Sequence, residues 1–397
     1  MANTILTTDL ISNYTLAKFV NENPFVHTAS RATESDFQMA SYKIGDTVNI
    51  RRQNRFLVGD GQVATRQNYV ETTELLTIDH QFHILIEFSS KDLTLSLDRF
   101  GERFVDPAVR HIINKMEVAL SQQAAQRLNF FEGTAGTPIS SFGSVDAAMA
   151  KLLEMAVPLD QDAYCALGVR DGASLKNSLS NFFNPTLNED ITQYSALGRL
   201  SCFDMFQSQN IYRQQAGNPG AGPITVSSTI TSGNSIPMTG LNASTLVFAE
   251  GDLFSVAGVT SINPLSFQST QQNMQFVVSQ DIVSDGAGNA TVFVNPAIVS
   301  DLGNPTRNVS NPILSGSLVT PVPSSNRNIA YIKRGLDLVC PPLDNVVIDS
   351  SVKTDPDTKV SIRLAKQGDI YNDVCAYRLD VLCGFLWHPQ YAIQLIS

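Results

Sequence analysis

Two histidines three residues apart, His80 and His83, are the side chains whose type and spacing most directly suggest metal chemistry, because imidazole nitrogen is a common zinc ligand. The surrounding segment alternates apolar and polar residues, which predicts a strand. On a strand, residues three apart face opposite sides. The two rings therefore cannot bind one ion without a bulge, and we expect ordinary surface or packed histidines and no metal site.

Three pairs of neighbouring acidic residues could supply a general acid and a general base. They are Glu71 with Glu74, Asp281 with Asp285, and Asp355 with Asp357. Paired carboxylates become catalytic when their surroundings move their pKa values apart. These pairs lie in loop or strand contexts without a histidine or lysine in a recognisable register, so we expect solvated loop acids.

The motifs of several enzyme classes are missing from the sequence. It contains no G-x-x-x-x-G-K-[ST] phosphate loop, no G-x-S-x-G nucleophile elbow and no H-E-x-x-H zinc motif. We therefore predict no catalytic residue, no cofactor and no enzymatic activity.

Cysteine usage and the N-terminal residues bear on the cellular compartment. The five cysteines are odd in number and form no C-x-x-C, so neither a disulfide framework nor a zinc site is predicted. The N-terminal stretch has no basic region followed by a long apolar run, and no window reaches the ~18 apolar residues of a spanning helix. These features favour reduced thiols, folding in the cytoplasm and no membrane association.

Length and charge narrow the class further. A chain of 397 residues exceeds one ordinary core, so two or three compact units are expected. Hydrophobic residues make up 43% of it and charged residues 16%, which does not fit a disordered chain. The net charge of −10 argues against a protein that binds nucleic acid by neutralising phosphates, although it does not exclude a container for nucleic acid.

A long β-hairpin is predicted over 37–97, where segments rich in Val, Ile, Thr and aromatic residues flank Gly59-Asp60-Gly61. Asp-Gly tolerates the positive φ of a tight turn. The hairpin carries four arginines and, over 46–74, no lysine. They are Arg51, Arg52, Arg55 and Arg66.

These arginines could bind nucleic acid, with Phe56 and Tyr69 interleaved for stacking. The whole chain is acidic, however, so every neighbouring copy offers carboxylates, and a projecting hairpin reaches beyond its own domain. We therefore favour an inter-subunit contact made by the four arginines together with Asp60.

Two helices are predicted before residue 143. A short amphipathic helix over 8–21 ends before Pro24, with Ile11, Tyr14 and Ala17 on one face. A second helix opens at Asp106-Pro107, because Asp is a good N-cap and Pro is favoured at the first helical position. We expect Gly133 to end it. Its apolar stripe comprises Val109, Ile112, Ile113, Met116, Leu120, Ala124 and Leu128, and on spacing alone this is a core helix.

The rest of the chain reads as an α/β unit interrupted by a β-rich insertion. Helices over 145–156 and 173–180 flank a buried strand over 163–169. The run GNPGAGP, at 217–223, is the sharpest linker signal, and TPVPSSN, at 320–326, is the second. The short alternating strands between them predict an inserted β-barrel. The fold class is α+β.

This order of parts resembles the tailed-phage major capsid proteins with the Hong Kong 97 fold. The segment EGDLFSVAGV, Glu250–Val259, is similar to the short strand signature of the I-domain in podovirus coat proteins. The closing segment AKQGDIYNDVCAYRLDVLCGFLWHPQYAIQL, Ala365–Leu395, resembles the ending of the same group. The resemblance covers nearly the full chain and rests on order and spacing, since no single motif is diagnostic.

The resemblance implies a division into the named parts of that fold. These are an N-terminal arm (1–36), an E-loop hairpin with flanking strands (37–97), a spine helix and P-domain (98–142), the first part of an A-domain (143–222), an inserted I-domain β-barrel (223–322), and an A-domain return with P-domain strands (323–397).

The resemblance also implies a function. A major capsid protein is expected to assemble with itself in pentamers and hexamers into the icosahedral head around a double-stranded DNA genome, in the cytoplasm of a bacterial host. Expected partners are a separate scaffolding protein, a portal, an optional decoration protein and non-specifically contacted DNA. Covalent cross-linking through an E-loop lysine is not expected, because 46–74 contains none.

Three alternatives remain at this point. Another virion component, such as a tail or decoration protein, would also be rich in β-strands, but the helix that opens at Pro107 weighs against it. A cellular nanocompartment shell shares the fold, although it is expected to lack the inserted barrel. A β-rich hydrolase or carbohydrate-binding protein could use the polar barrel as a platform, but the only tryptophan, Trp387, lies outside the barrel.

Overall fold

The computed structural model of this chain describes residues 8–31, 47–60, 62, 66, 73–89, 101–158, 162–179, 198–345, 347 and 349–397. The chain divides into two compact units. The first comprises 1–50, 73–120 and 336–386, and the second comprises 51–72, 121–335 and 387–397.

The helices of the described residues are α-helical apart from two short turns. They are α1 (Thr8–Glu22), α2 (Pro24–Thr28), α3 (Asp106–Arg127), α4 (Phe142–Glu154) and α5 (Val169–Leu179). A π-helical turn (Gly101–Val105) leads into α3, and a 3₁₀ turn (Lys333–Gly335) lies near the end of the second unit.

Helix α3 begins at the predicted Asp106-Pro107, and its predicted apolar stripe is buried throughout. Its end differs from the prediction, because the helix stops at Arg127 and Gly133 instead closes a short strand, β4 (Phe131–Gly133). Gly133 has a φ of +103°, and a Cβ there would collide with the carbonyl oxygen of Ile396. Close pairing of two strands thus explains this glycine.

Helix α1 is also present, but it buries a different face from the predicted one. Tyr14 and Ala17 are exposed, whereas the buried positions are Ile11, Ser12, Thr15, Leu16, Phe19 and Val20. Two small hydroxyl residues, Ser12 and Thr15, lie on the buried face because a hydroxyl group can form its hydrogen bond within the helix. The Thr15 hydroxyl donates to the carbonyl of Ile11 at 2.6 Å.

The first unit is built on antiparallel strands. They are β1 (Thr47–Arg51), β2 (Thr73–Thr77), β3 (His80–Ser89), β18 (Leu336–Val339), β19 (Asp349–Thr354), β20 (Ser361–Asp369) and β21 (Val374–Trp387). The larger sheet has the order β18-β21-β20-β19, with β3 also paired to β21, and helix α1 packs on β19 and β20. Strands β1 and β2 form a separate two-stranded sheet.

A buried carboxylate joins three strands of the larger sheet. Asp380 is 0% exposed and accepts from Arg363 Nη2 at 2.7 Å, Arg378 Nε at 2.9 Å and Gln81 Nε2 at 3.2 Å. A buried charge is tolerated when it is paired and hydrogen-bonded, as it is here.

The predicted hairpin differs in its turn. Strand β1 ends at Arg51 and its partner β2 begins at Thr73, so 52–72 connects them. Asp60 lies within this long connection and not in a two-residue turn, while Gly61 is outside the described residues. Among the residues that follow β1, Arg52 and Arg55 are half-buried, and Arg52 lies near Arg127 of α3.

The second unit contains a mixed sheet with the order β4-β22-β17-β5-β7-β6, and β8 pairs with β17. The strands besides β4 are β5 (Ala163–Gly168), β6 (Arg199–Leu200), β7 (Phe203–Ser208), β8 (Arg213–Gln214), β17 (Ser325–Ile332) and β22 (Ala392–Ile396). Strands β5 and β7 are parallel, as are β4 and β22. Helices α4 and α5 bury Val145, Leu152 and Leu175 in the same core as sheet residues.

A closed β-barrel of the order β10-β15-β13-β12-β16-β9 completes the second unit. Its strands are β9 (Ile224–Val226), β10 (Ser232–Thr239), β12 (Leu253–Ile262), β13 (Ser269–Val278), β15 (Ala290–Val299) and β16 (Leu318–Pro321), and a small sheet adds β11 (Leu246–Phe248) and β14 (Ile282–Val283). Strands of the mixed sheet precede and follow this segment, so the barrel is inserted, as the turn pattern predicts. It has its own core around Phe254 and Phe276.

Candidate assembly contacts and the barrel junction

The predicted assembly residues fall into two groups in the structure. Arg51, Asp60 and Arg66 are exposed, whereas Arg52 and Arg55 are half-buried. Arg52 lies close enough to Arg55 to feel its charge. The structure thus brings two of the five predicted residues together in a partly enclosed place.

A third arginine, Arg127 at the end of α3, joins this pair. Burial, together with the smaller effect of the positive charges of Arg127 and Arg55, lowers the pKa of Arg52 to about 10. Burial also lowers the pKa of Arg55 and of Arg127. We call Arg52, Arg55 and Arg127 the arginine cluster. All three guanidinium groups stay charged at neutral pH, so the cluster concentrates positive charge where water screens it poorly.

Tyr391 borders the arginine cluster from the C-terminal part of the chain. Its hydroxyl donates to Gln53 Oε1 at 3.0 Å and so holds Gln53, the residue next to Arg52. Burial raises the pKa of Tyr391, while the charges of Arg334 and Arg55 oppose that rise. Sequence reasoning did not find Arg127 or Tyr391, because neither is near the hairpin in the sequence.

The tip between β20 and β21 is a second candidate contact that the sequence did not single out. Ile370 and Tyr371 are 96% and 98% exposed. The turn beneath them is held by Asp369, which accepts from Asn372 Nδ2 at 2.6 Å and from the backbone N–H of Tyr371 at 2.9 Å. These bonds, that of Asn372 first, lower the pKa of Asp369. Two large apolar side chains are thereby presented to solvent on an ordered turn. The signal in the sequence is Ile-Tyr inside GDIYND.

The barrel is docked on the mixed sheet by a glutamine clamp. Gln275 of β13 accepts from the backbone N–H of Phe131 at 2.9 Å and donates to its carbonyl at 3.1 Å. Asn129 donates to the carbonyl of Gln275 at 3.0 Å. Gln275 thereby satisfies both backbone groups of a residue at the start of β4.

A buried carboxylate makes the second polar contact of the junction. Asp252, 2% exposed, accepts from Gly217 N at 2.9 Å, Ala249 N at 2.8 Å and Gln214 Nε2 at 2.9 Å. Burial raises the pKa of Asp252, and these bonds and the charge of Arg327 oppose the rise. Asp252 thus ties the first barrel boundary to a strand of the sheet unit.

The first boundary itself is closely packed. A Cβ on Gly217 would lie 2.5 Å from the carbonyl oxygen of Val247, so glycine is needed for the chain to cross the barrel at this point. Buried Leu253, Val277 and Ile396 form an apolar cluster that spans barrel and sheet. The segment that the sequence predicts as a linker is therefore closely packed against the barrel.

The two histidines considered for metal binding lie on opposite faces of a strand. His80 is half-buried and stacks on Phe385 with ring centroids 4.8 Å apart, while His83 is exposed on the opposite face of β3, as the strand period predicts. In the described ranges, no group of three or more His, Cys, Asp or Glu residues is placed to hold a metal ion.

The acidic pairs behave mostly as predicted. Asp281 accepts from Glu250 N at 2.8 Å, and Asp285 accepts from Asn289 N at 2.8 Å, so both serve turns. Asp355 accepts from Thr358 N at 2.7 Å. Glu74 differs, because it is 5% exposed, and the expectation of a solvated acid is wrong there. Its partner in the sequence, Glu71, lies outside the described residues.

Comparison with known proteins finds one family that the second half of the chain resembles. Residues 222–396, which include the barrel and the closing strands, match the family model described as "P22 coat protein - gene protein 5". Over these residues the chain is similar to a phage coat protein, which supports a tailed-phage major capsid protein. No curated protein matches its sequence. None of the described helices has the length and apolar character required to cross a bilayer.

Solved structures resemble this chain at low sequence identity. One is "Mycobacterium phage Che8", with 10% identity, a TM-score of 0.48 and coverage of 94% of this chain and 91% of that chain. Another is "Capsid of Ralstonia phage GP4", with 8% identity, a TM-score of 0.46 and coverage of 89% and 83%. A third is "Crystal structure of virus-like particle from Pyrococcus furiosus", with 9% identity, a TM-score of 0.44 and coverage of 98% and 98%.

The alternatives considered for this chain lose support. The family match is to a phage coat protein, which favours a phage capsid over a cellular nanocompartment. Trp387 is 0% exposed and packs edge-on against Tyr331 with ring centroids 5.0 Å apart, so it cannot stack on a sugar. The match therefore favours a structural role for this chain.

Proposed function

We propose that this chain is a coat protein of the Hong Kong 97 type, which builds the closed icosahedral head that encloses the double-stranded DNA genome of a tailed phage. The observation that carries the proposal is the coat-protein match over residues 222–396. The inserted barrel and the strands that follow it lie within the matched residues.

The assembly consists of pentamers and hexamers of one chain. Such a shell uses the same subunit in several related environments, so each contact is repeated many times. Individually weak contacts are sufficient, because a subunit in a closed shell leaves only when several contacts break together. Surfaces suited to partner contact are therefore needed at more than one place on the chain.

The tip at Ile370 and Tyr371 is one such surface. Exposed apolar side chains on an ordered turn gain free energy when a partner covers them. Asp369 holds the turn in place, so little conformational entropy is lost on contact. This favours a neighbouring subunit as the partner of the tip.

The hairpin connection is a second contact surface in this proposal. Arg51, Arg52, Arg55 and Arg66, with Asp60, contact a neighbouring copy, and the arginine cluster accepts a carboxylate from it. Guanidinium groups bind carboxylates with paired hydrogen bonds, and the chain carries 37 acidic residues against 27 basic ones. The arginine cluster supports this assignment because burial strengthens a bond to an incoming negative group.

The barrel serves chiefly to fold and stabilise the subunit, and it corresponds to an I-domain over 223–322. Its own core and its docking through Gln275 and Asp252 support this role. The remaining parts are assigned as an N-terminal arm (1–36), an E-loop (37–97), a spine helix with P-domain (98–142), and an A-domain in two parts (143–222 and 323–397). Helix α3 lies within the spine-helix part.

The partners follow from the same assignment. Assembly takes place in the bacterial cytoplasm with a separate scaffolding protein and a portal, and a decoration protein is an optional addition. Contacts with packaged DNA are non-specific, in keeping with a net charge of −10. The protein has no enzymatic activity.

Electron microscopy of the expressed chain, alone and with its co-encoded scaffolding protein, tests the proposal. Uniform closed shells are the expected result. A chain that remains monomeric across salt, pH and scaffold conditions, while folded by circular dichroism, would contradict it.

A further inference from the structure

A buried arginine in the mixed sheet has unused hydrogen-bonding capacity. Arg327 of β17 is 0% exposed, and among the described residues its Nε, Nη1 and Nη2 have no hydrogen-bond partner. Its backbone N–H is satisfied by the carbonyl of Tyr212 at 2.9 Å. A guanidinium group removed from water without partners is strongly destabilising. The side chain therefore points to a bound species that satisfies it.

Other unsatisfied polar atoms lie on the same face of the sheet. Strands β8 and β17 pair with Gln214 opposite Ser325, and Ser325 is two residues from Arg327, so the three side chains share one face. The Oε1 atom of Gln214 and the Oγ atom of Ser325 are buried without a hydrogen-bond partner in the described structure. The site thus combines unused donors with at least one unused acceptor.

The edge of the barrel covers the site formed by Arg327, Gln214 and Ser325. Asp252, whose charge acts on Arg327, is bonded to Gln214 Nε2 at 2.9 Å. Gly251, beside it, has a φ of +87°, and a Cβ there would lie 3.1 Å from Gln214 Oε1 and 3.3 Å from the carbonyl oxygen of Ala125. The site is therefore enclosed by sheet, barrel edge and the last turn of α3, all within the second unit.

The charges around the Arg327 site favour water over an anion as the bound species. Arg327 and Asp252 already compensate each other in net charge. The end of α3 adds the negative pole of a helix, whose carbonyls at Ala124, Ala125 and Leu128 accept from Gln394. An anion would add further negative charge to this buried place, and it could only accept hydrogen bonds. A water molecule accepts from the guanidinium and also donates to Gln214 Oε1.

We propose that the Arg327 site binds internal water. This water joins the guanidinium to Gln214 and so forms part of the contact between the barrel and the sheet. The barrel junction then consists of the direct clamps at Gln275 and Asp252 and a water-mediated contact behind them. Water-mediated hydrogen bonds are nearly as favourable as direct ones, so this contact stabilises the barrel junction.

High-resolution imaging of the full chain, as a crystal or as an assembled particle, tests the site directly. Ordered density at about 2.7–3.2 Å from the guanidinium nitrogens of Arg327 is the expected result. A guanidinium bonded directly to protein oxygens, with no density beside it, would overturn the proposal. After a soak in sodium bromide, an anomalous peak at Arg327 would equally overturn it in favour of an anion.

A solution measurement separates water from an anion without any variant. The melting temperature of the full chain is expected to be equal in sodium chloride and in sodium gluconate of the same ionic strength. A chloride-specific rise would contradict the water assignment. Magnetic relaxation dispersion of water oxygen-17 adds a second readout, in which Arg327→Met is expected to lose a long-lived internal water and the exposed control Arg213→Met to keep it. Equal dispersion in folded Arg327→Met and in the wild type would also count against the site.

Discussion

Replacing Asp252 by asparagine tests whether the barrel is held on the sheet by a buried charge. Asparagine keeps the shape and one carbonyl oxygen, so the bonds from Gly217 N and Ala249 N can persist without their charge assistance. The change removes the negative charge that compensates Arg327. Removing one partner of a buried pair costs about 3–5 kcal/mol. We take about 3 kcal/mol, because Arg327 is not directly hydrogen-bonded to Asp252.

Amide hydrogen exchange is the suitable assay, because it reports opening of the barrel separately from opening of the first unit. A loss of about 3 kcal/mol corresponds to about 100-fold faster exchange by local opening. The increase is expected in the barrel strands β12 and β13 and at Gly217 and Ala249. Strand β21 of the first unit should be unchanged.

A matched control and a double variant make this test specific. Asp281→Asn changes an exposed acid that also accepts one backbone N–H, and it should cost about 1 kcal/mol or less. Adding Arg327→Met to Asp252→Asn removes the uncompensated charge and should recover part of the lost protection. If the two changes are simply additive, or if Asp252→Asn leaves barrel exchange unchanged, the electrostatic account of the junction is wrong.

Three further predictions concern the surfaces. Arg52→Ser with Arg55→Ser should leave a folded subunit that assembles poorly and less tolerantly of salt, measured by particle yield on a sucrose gradient; normal particles would remove the proposed role. Ile370→Ser with Tyr371→Ser should keep the melting temperature within about 2 °C, since exposed residues contribute little to folding, yet lower particle yield; unchanged yield would contradict the tip contact. Hydrogen bonds led by the Asn289 backbone N–H lower the pKa of Asp285 below 3.8, so its contribution to stability is present above that pH and is lost as pH falls through the folded-state pKa. Carboxyl NMR titration checks this, and a midpoint at or above 3.8 would contradict it.

The parts of the fold that local sequence encodes were predictable. Asp106-Pro107 and the apolar stripe behind it specify α3 without reference to any distant residue, because capping and helical period are local properties. Glycine, proline and asparagine turns likewise marked the barrel strands. The same reasoning failed where a residue is required by its contact with a segment distant in the sequence. Gly133 was read as a helix stop, whereas close pairing with Ile396 requires it.

The candidate sites depended more on tertiary contacts and were less predictable. The arginines of the hairpin connection stood out by composition, but Arg127 and Tyr391 reach them only through the fold. Gln275 and Arg327 carry no sequence signal, since a glutamine or arginine on a strand is usually a surface residue. Their roles come from burial at the barrel junction, which the sequence does not encode locally.

The central claim is that this chain forms the wall of a phage head, and cryo-electron microscopy of particles assembled from it tests that claim most directly. We predict closed shells whose wall is made of this chain in pentamers and hexamers, with the barrel docked on each subunit through Gln275 and Asp252 as in the single chain. Particles whose wall lacks this chain, or a folded chain that forms tubes, rings or monomers under every condition, would contradict it.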